Sequence, residues 1–240
     1  MEPSHVRSSE ELRLVADPAW PGLEVAISAA GVPVTVLPVE RSRADDVLRR
    51  LQVTTASTLG ALATESGGLL VDHGWFRILG GGSDGLADLA TANALPVPSA
   101  ASRPPGYLVV AYDALGGVFA VDGGGLGIAP GEVCYRGPDT LTWGGLGGGH
   151  SAFVSAALSG SLGDVFGPLR WPGWEAEVRA LAPDRGISLY PPPYTSEGAD
   201  LSSVSRRPVP LTELLDHYAE VARQLAGVAD GEAVELRLTD

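Results

Sequence analysis

Lysine is missing altogether: all 16 basic residues are arginine. Without lysine there is no Schiff-base chemistry and no lysine-linked pyridoxal cofactor. A nucleotide-binding P-loop would also lack its phosphate-holding lysine. Arginine in place of lysine, with abundant Ala and Gly, reads as the codon bias of a GC-rich genome. Cysteine is nearly missing too. The single Cys134 excludes an intrachain disulfide and a thiolate zinc cluster. Within "EVCYR", a strand-like run, it reads as a small buried apolar residue. The four histidines, at 5, 73, 150 and 217, have no ligand spacing. No metal and no cofactor are therefore expected.

Positive charge is scarce. Twenty-nine acids against 16 arginines give a net charge of -13. Such a surface repels phosphate backbones and anionic lipids, so neither nucleic acid nor a membrane is expected as a partner. A basic protein partner is compatible with it. No apolar run reaches the length of a membrane span. The start, "MEPSHVRSSEEL", is polar and acidic and has no signal-peptide pattern. The expectation is a cytoplasmic protein.

What is present is globular. Apolar residues make up 45% of the chain, enough to bury a core. Helical spacing predicts helices in "PAWPGLEVAISAAG", "RADDVLRRLQ", "STLGALATES", a segment after Ser151, "WPGWEAEVRAL" and "LTELLDHYAEVARQLAG". The β-branched "VPVTVLPV" reads as a strand. The centre repeats one grammar: apolar run, Asp- and Gly-containing turn, apolar run. It covers "LLVDHGWFRIL", "YLVVAYDALGGVFAVDGGG" and "EVCYR" with "TLTW". Such a pattern predicts a meander of antiparallel strands. The fold class expected is α+β, an antiparallel or mixed sheet flanked by helices. One domain over 1–240 is expected, with 1–17 a loose arm and 211–240 a helix-strand extension ending in the alternating "AVELRL". That last strand, or the proline segment "YPPPY", would suit a homodimer edge. The Gly- and Pro-rich stretch at 80–106 is a long surface excursion, a kind of loop often functional.

Chemistry is sparse. In "GGLLVDHGWFRILGGG" an acid and an imidazole stand side by side. A three-residue hairpin loop explains Asp72, as an Asx-turn residue, and Gly74, as a left-handed one. It leaves His73 without a structural reason. A hydrolase-like reading would join Asp72 and His73 to Asp113 or His150, a carboxylate orienting an imidazole that activates water. All four would have to meet in one pocket. A binding reading would use His73, Trp75 and Arg77 as an exposed hairpin surface. The glycine loop before "HSAFVS" does not fit the Gly-x-Gly-x-x-Gly phosphate pattern.

The stretches "QVTTASTLGALATESGGLLVDHGWFRILG", "DALGGVFAVDGG", "PDTLTWGGLGGGHSAFVSAALSG" and "RWPGWEAEV…GISLYPPPYTSEG" resemble a bacterial family catalogued as domain-of-unknown-function family 2625. The resemblance runs from about Trp20 to Pro210. It carries no assigned activity and no catalytic residues. In element order and in the "ESGGLLV" turn the chain is also similar to the SUKH superfamily. That resemblance implies an α+β protein-binding module of the immunity type, neutralising a partner toxin. An acidic module would match a basic toxin. It would present exposed aromatics and acids in one patch. The two readings, binding module and Asp/His hydrolase, predict different arrangements of the same residues.

Overall fold

A computed structural model describes residues 5–226. Seven strands form one antiparallel sheet in strict chain order. They are β1 (Val34–Leu37), β2 (Gly68–Val71), β3 (Phe76–Leu79), β4 (Tyr107–Asp113), β5 (Val118–Asp122), β6 (Val133–Arg136) and β7 (Trp143–Gly145). The expected α+β meander is what forms. Its turns follow the local residues. At β4–β5 the Asp113 carboxylate accepts the N–H groups of Leu115 and Gly117, both at 2.8 Å. After β5 the Asp122 carboxylate accepts those of Gly124, Leu126 and Ile128.

Helices cover the sheet. The first four are α1 (Ser9–Arg13), α2 (Trp20–Ser28), α3 (Arg41–Leu51) and α4 (Thr58–Glu65). After the meander's first strands comes a short α5 (Leu89–Ala92), and after β7 come α6 (His150–Ser159), α7 (Gly163–Phe166) and α8 (Trp174–Arg179). Side-chain caps start several of them: Ser8 forms a reciprocal capping box with Glu11, and Ser57 and Asp88 accept from Gly60 and Thr91. The helix after the glycine loop begins two residues earlier than its serine suggests. Gly149 is the cap, and Ser151 Oγ instead meets Thr58 Oγ at 2.9 Å, tying α6 to α4. Alternate strand positions fill the core between the layers. Phe119 stands edge-on to Phe76, with ring centres 5.9 Å apart, and near Phe153 (4.9 Å) and Phe166 (5.6 Å).

A second, two-stranded antiparallel sheet joins β8 (Arg185–Tyr190) to β9 (Ser205–Pro210). It carries α9 (Leu211–Leu225), whose Leu214, Tyr218 and Val221 pack with Leu141 and Val209. The Ile187 N–H donates to Ala114 O (2.8 Å), docking this unit on the β4–β5 turn. The predicted strand "AVELRL" lies outside the described residues.

Residues 5–17 are not the loose arm expected. Leu12 is fully buried, and Arg13 pairs with Asp45 at 2.9 Å. The Arg7 N–H donates to Gln52 Oε1 (3.0 Å), and Gln52 Nε2 returns a bond to Arg7 O (2.9 Å). Among the described residues no single helix is long and apolar enough to cross a membrane.

Candidate functional site

The two ends of the main sheet differ in chemistry. At one end lies the β2–β3 hairpin. Its loop has four residues, 72–75, rather than the three expected. Asp72 (φ 54°), His73 (φ 61°) and Gly74 (φ 89°) are all left-handed. Successive positive φ values give a turn whose twist matches the flanking strands, and Asp and His tolerate that region better than most residues. The Asp72 carboxylate closes no Asx turn. It accepts a hydrogen bond from the Arg170 guanidinium at 2.7 Å, with both side chains nearly buried. Arg170 also lies over the rings of Trp174 (4.1 Å) and Trp75 (4.8 Å). Beyond it Trp171 Nε1 donates to Glu177 (2.9 Å), which in turn holds Arg206 (3.2 Å). This ladder of arginines and indoles staples α8 and β9 to the hairpin. It gives Asp72 a structural task.

The exposed surface expected from His73, Trp75 and Arg77 does not form. Trp75 is fully buried and Arg77 is 1% exposed. Trp75 fills space against Trp171 and Trp174 because an indole gains more from burial there than from solvent. Arg77 occupies a strand position between Leu70 and Tyr112. Only His73 stays at the surface, with its Nδ1 accepting from Arg179 and its ring edge-on to Trp174.

Nor do the four hydrolase candidates meet. Asp113 is fully buried, with Oδ1 bonded to two backbone N–H groups and Oδ2 to the Tyr135 hydroxyl at 2.6 Å. Burial pushes its carboxyl pKa upward, against the pull of Tyr135 and the backbone donors. It has no free oxygen for an imidazole. His150 sits apart from all three, at the opposite end of the sheet.

At that opposite end is a cavity of about 530 Å³. The N-terminal half of β4 and the C-terminal half of β5 form its floor with Leu108 and Val121. The end of α3 supplies Leu51, and α4 supplies Leu59. Its roof is the proline-rich loop that follows α5, with Leu95, Pro96, Pro98, Pro104 and Pro105. Two contacts hold the roof. Asn93 bonds both backbone groups of Val109 on β4, at 2.7 and 2.8 Å. Arg50 Nη1 donates to Leu95 O at 2.9 Å. The pinned segment at His5 and Val6 closes one side.

One polar group inside is unpaid for. His150 is the first residue of α6 and lines this cavity, and its Nε2 is buried without a hydrogen-bond partner. Burial lowers its pKa to about 4, so the ring is neutral at pH 7. A neutral imidazole nitrogen offers one bond, to a hydroxyl, an amine or a carbonyl group. Arg103 stands exposed at the mouth. A mainly apolar cavity with a few polar groups, one of them unpartnered, is the usual build of a small-molecule site, and its volume is in the common range of several hundred Å³.

The model of the family described as "Protein of unknown function DUF2625" matches residues 9–214. The chain belongs to the DUF2625 family. It is 36% identical over 196 residues to the "Putative uncharacterized protein YbfG" of Escherichia coli strain K12, covering 78% of this chain and 85% of that one. It is 33% identical over 180 residues to an "Uncharacterized protein" of Haemophilus influenzae, covering 73% and 78% respectively. No solved structure matches. The match to the DUF2625 model runs from α1 into α9 and so takes in the whole wall of the cavity except His5 and Val6.

Of the four hydrolase candidates, His150 is the one the structure brings to the large cavity. Its partners there went unread in the sequence. Leu51, Leu59, Leu108 and Val121 look like ordinary core positions, and only the prolines of the 93–106 loop signal something unusual.

Proposed function

We propose that this protein binds a small, largely apolar molecule bearing one neutral hydrogen-bonding group, and that it does so without catalysing a reaction on it. The unpartnered Nε2 of His150 at the wall of a mainly apolar cavity carries this reading. A buried nitrogen left without a partner costs free energy, and a ligand group that bonds it recovers that cost. The neutral ring offers a carboxylate no compensating charge, and the Arg50 guanidinium in the wall is already held by Asp46 and the Leu95 carbonyl. A ligand carrying an acid would keep it at the mouth, beside Arg103.

Docking of a protein partner, the immunity-type reading, asks for exposed aromatics next to acids. All five tryptophans are buried or half-buried, and the exposed aromatics are two tyrosines in different sheets, Tyr107 and Tyr190. The small-ligand reading is therefore the better supported. A hydrolase would need an imidazole within hydrogen-bond reach of a carboxylate and open to substrate. Asp72 and Asp113 are each committed to other donors.

The test is a fluorescence titration with N-phenyl-1-naphthylamine, a neutral apolar dye with one N–H. The wild-type protein is expected to enhance its emission saturably with one site. Leu108→Trp, which fills the cavity, should remove the enhancement. His150→Phe, which keeps the apolar bulk, should weaken binding about tenfold, as loss of one buried hydrogen bond does. No saturable enhancement, or full enhancement in a folded Leu108→Trp protein, would overturn the proposal.

A further inference from the structure

A second cavity, of about 180 Å³, lies at the hairpin end and shares no lining residue with the first. Its floor is a row of three side chains on one face of the sheet. Thr35, Leu70 and Arg77 stand opposite one another across β1, β2 and β3. Its roof is Val178 of α8 with Leu181 and Pro183 of the segment that follows. His73 and Arg179, bonded to each other, form its rim. No carboxylate lines it.

Arg77 is the unusual member. Its side chain is buried, yet among the described residues it makes no hydrogen bond, and its Nη1 is enclosed without a partner. The carboxylates of Asp113 and Asp184 attract it from a distance. Neither bonds it. Asp113 in particular has both oxygens taken by Leu115, Gly117 and Tyr135. A guanidinium presents five donors in a rigid fork, and a buried one with none satisfied is costly. A planar carboxylate matches that fork with two parallel bonds.

The geometry points to a binding site for a small monocarboxylate in the cavity between Arg77 and α8. The carboxylate would sit on the Arg77 fork, and the Thr35 hydroxyl is a further donor in the same lining. The short carbon chain would lie against Leu70, Val178 and Leu181. The cavity volume suits an acid of two to four carbons. A phosphate would turn its remaining oxygens onto these apolar walls, so the class favoured is carboxylic. Arg179 at the rim adds a second positive charge that draws an anion in.

The probe is propionate, followed by methyl NMR of the full chain at constant ionic strength, with sodium chloride and sodium phosphate in parallel. Saturable shifts of the Leu70, Val178 and Leu181 methyls are expected with propionate alone. Arg77→Met should weaken the binding at least tenfold. Leu181→Trp, at the roof, should abolish it in a protein whose other methyl signals are unchanged. Should Arg77→Met fail to fold, Thr35→Val supplies the polar variant and is expected to weaken binding severalfold. Absence of saturable shifts with propionate, equal shifts with phosphate, or undiminished binding in a folded Leu181→Trp protein would each overturn the site.

Discussion

His150 titrates in a direction that can be measured. In the unfolded chain its imidazole takes a proton near pH 6.5. In the folded protein burial holds its pKa near 4. The stability that goes with the neutral ring is therefore complete above pH 6.5 and is lost as the pH falls toward 4. The loss should reach roughly 3 kcal/mol at most. Urea unfolding of wild type and His150→Gln at pH 7 and pH 4 isolates it. The wild type should lose more than the variant by that margin, and parallel curves would remove His150 from the account. Asp113 is the second informative residue. Asp113→Ala strands two backbone N–H groups and the Tyr135 hydroxyl, and should cost about 3 kcal/mol or more. Asp113→Asn keeps one carbonyl acceptor and should cost less. Both roles were partly legible. The sequence placed Asp113 in a turn and gave His150 a functional suspicion. Nothing in a sequence says that Asp113 faces Tyr135 or that His150 faces a void, because both partners come from distant segments.

Elements were legible where a local pattern decides them. The amphipathic α3 and α9 and the Asp-Gly turns of the meander follow from spacing and turn chemistry. The hairpin loop came out one residue longer because Trp75 joins the turn to reach Trp171 and Trp174, a tertiary preference. Glycines at element ends hide a different constraint. Gly80 follows β3, where an added Cβ would lie 2.6 Å from Ser66 O and 2.8 Å from Leu62 O, the last turn of α4. Those are backbone atoms with no room to retreat. Gly80→Ala should therefore destabilise by about 2 kcal/mol or more. Gly163→Ala, in α7, meets nothing closer than 3.9 Å and should be neutral or mildly stabilising. Thermal unfolding of the pair checks both, and equal losses would contradict the close-approach explanation. The ladder of Arg170, Trp174, Trp171 and Arg206 gives the α8 region a similar test. Arg170→Ala removes the partner of Asp72, and amide exchange should accelerate in α8 and in residues 72–75 while β5 and β6 stay protected.

At the scale of the molecule, the meander separates two chemistries. One end is stapled by cations on indoles and holds a small cationic pocket. The other end opens into an apolar cavity whose walls come from the N-terminal segment, α3, α4, α6 and a proline-rich loop. That convergence of five separate segments is why the cavity could not be read in advance. The net charge of -13 described the surface and was silent about a cavity lined mainly by leucine, valine and proline. The central claim is that this cavity takes an apolar ligand. The most direct measurement is a methyl NMR map of N-phenyl-1-naphthylamine binding, with leucine and valine methyls labelled. Shifts should concentrate on Leu51, Leu59, Leu95, Leu108 and Val121, and saturate together. Shifts centred instead on Leu189 and Leu214 around α9, or none at all, would contradict the claim.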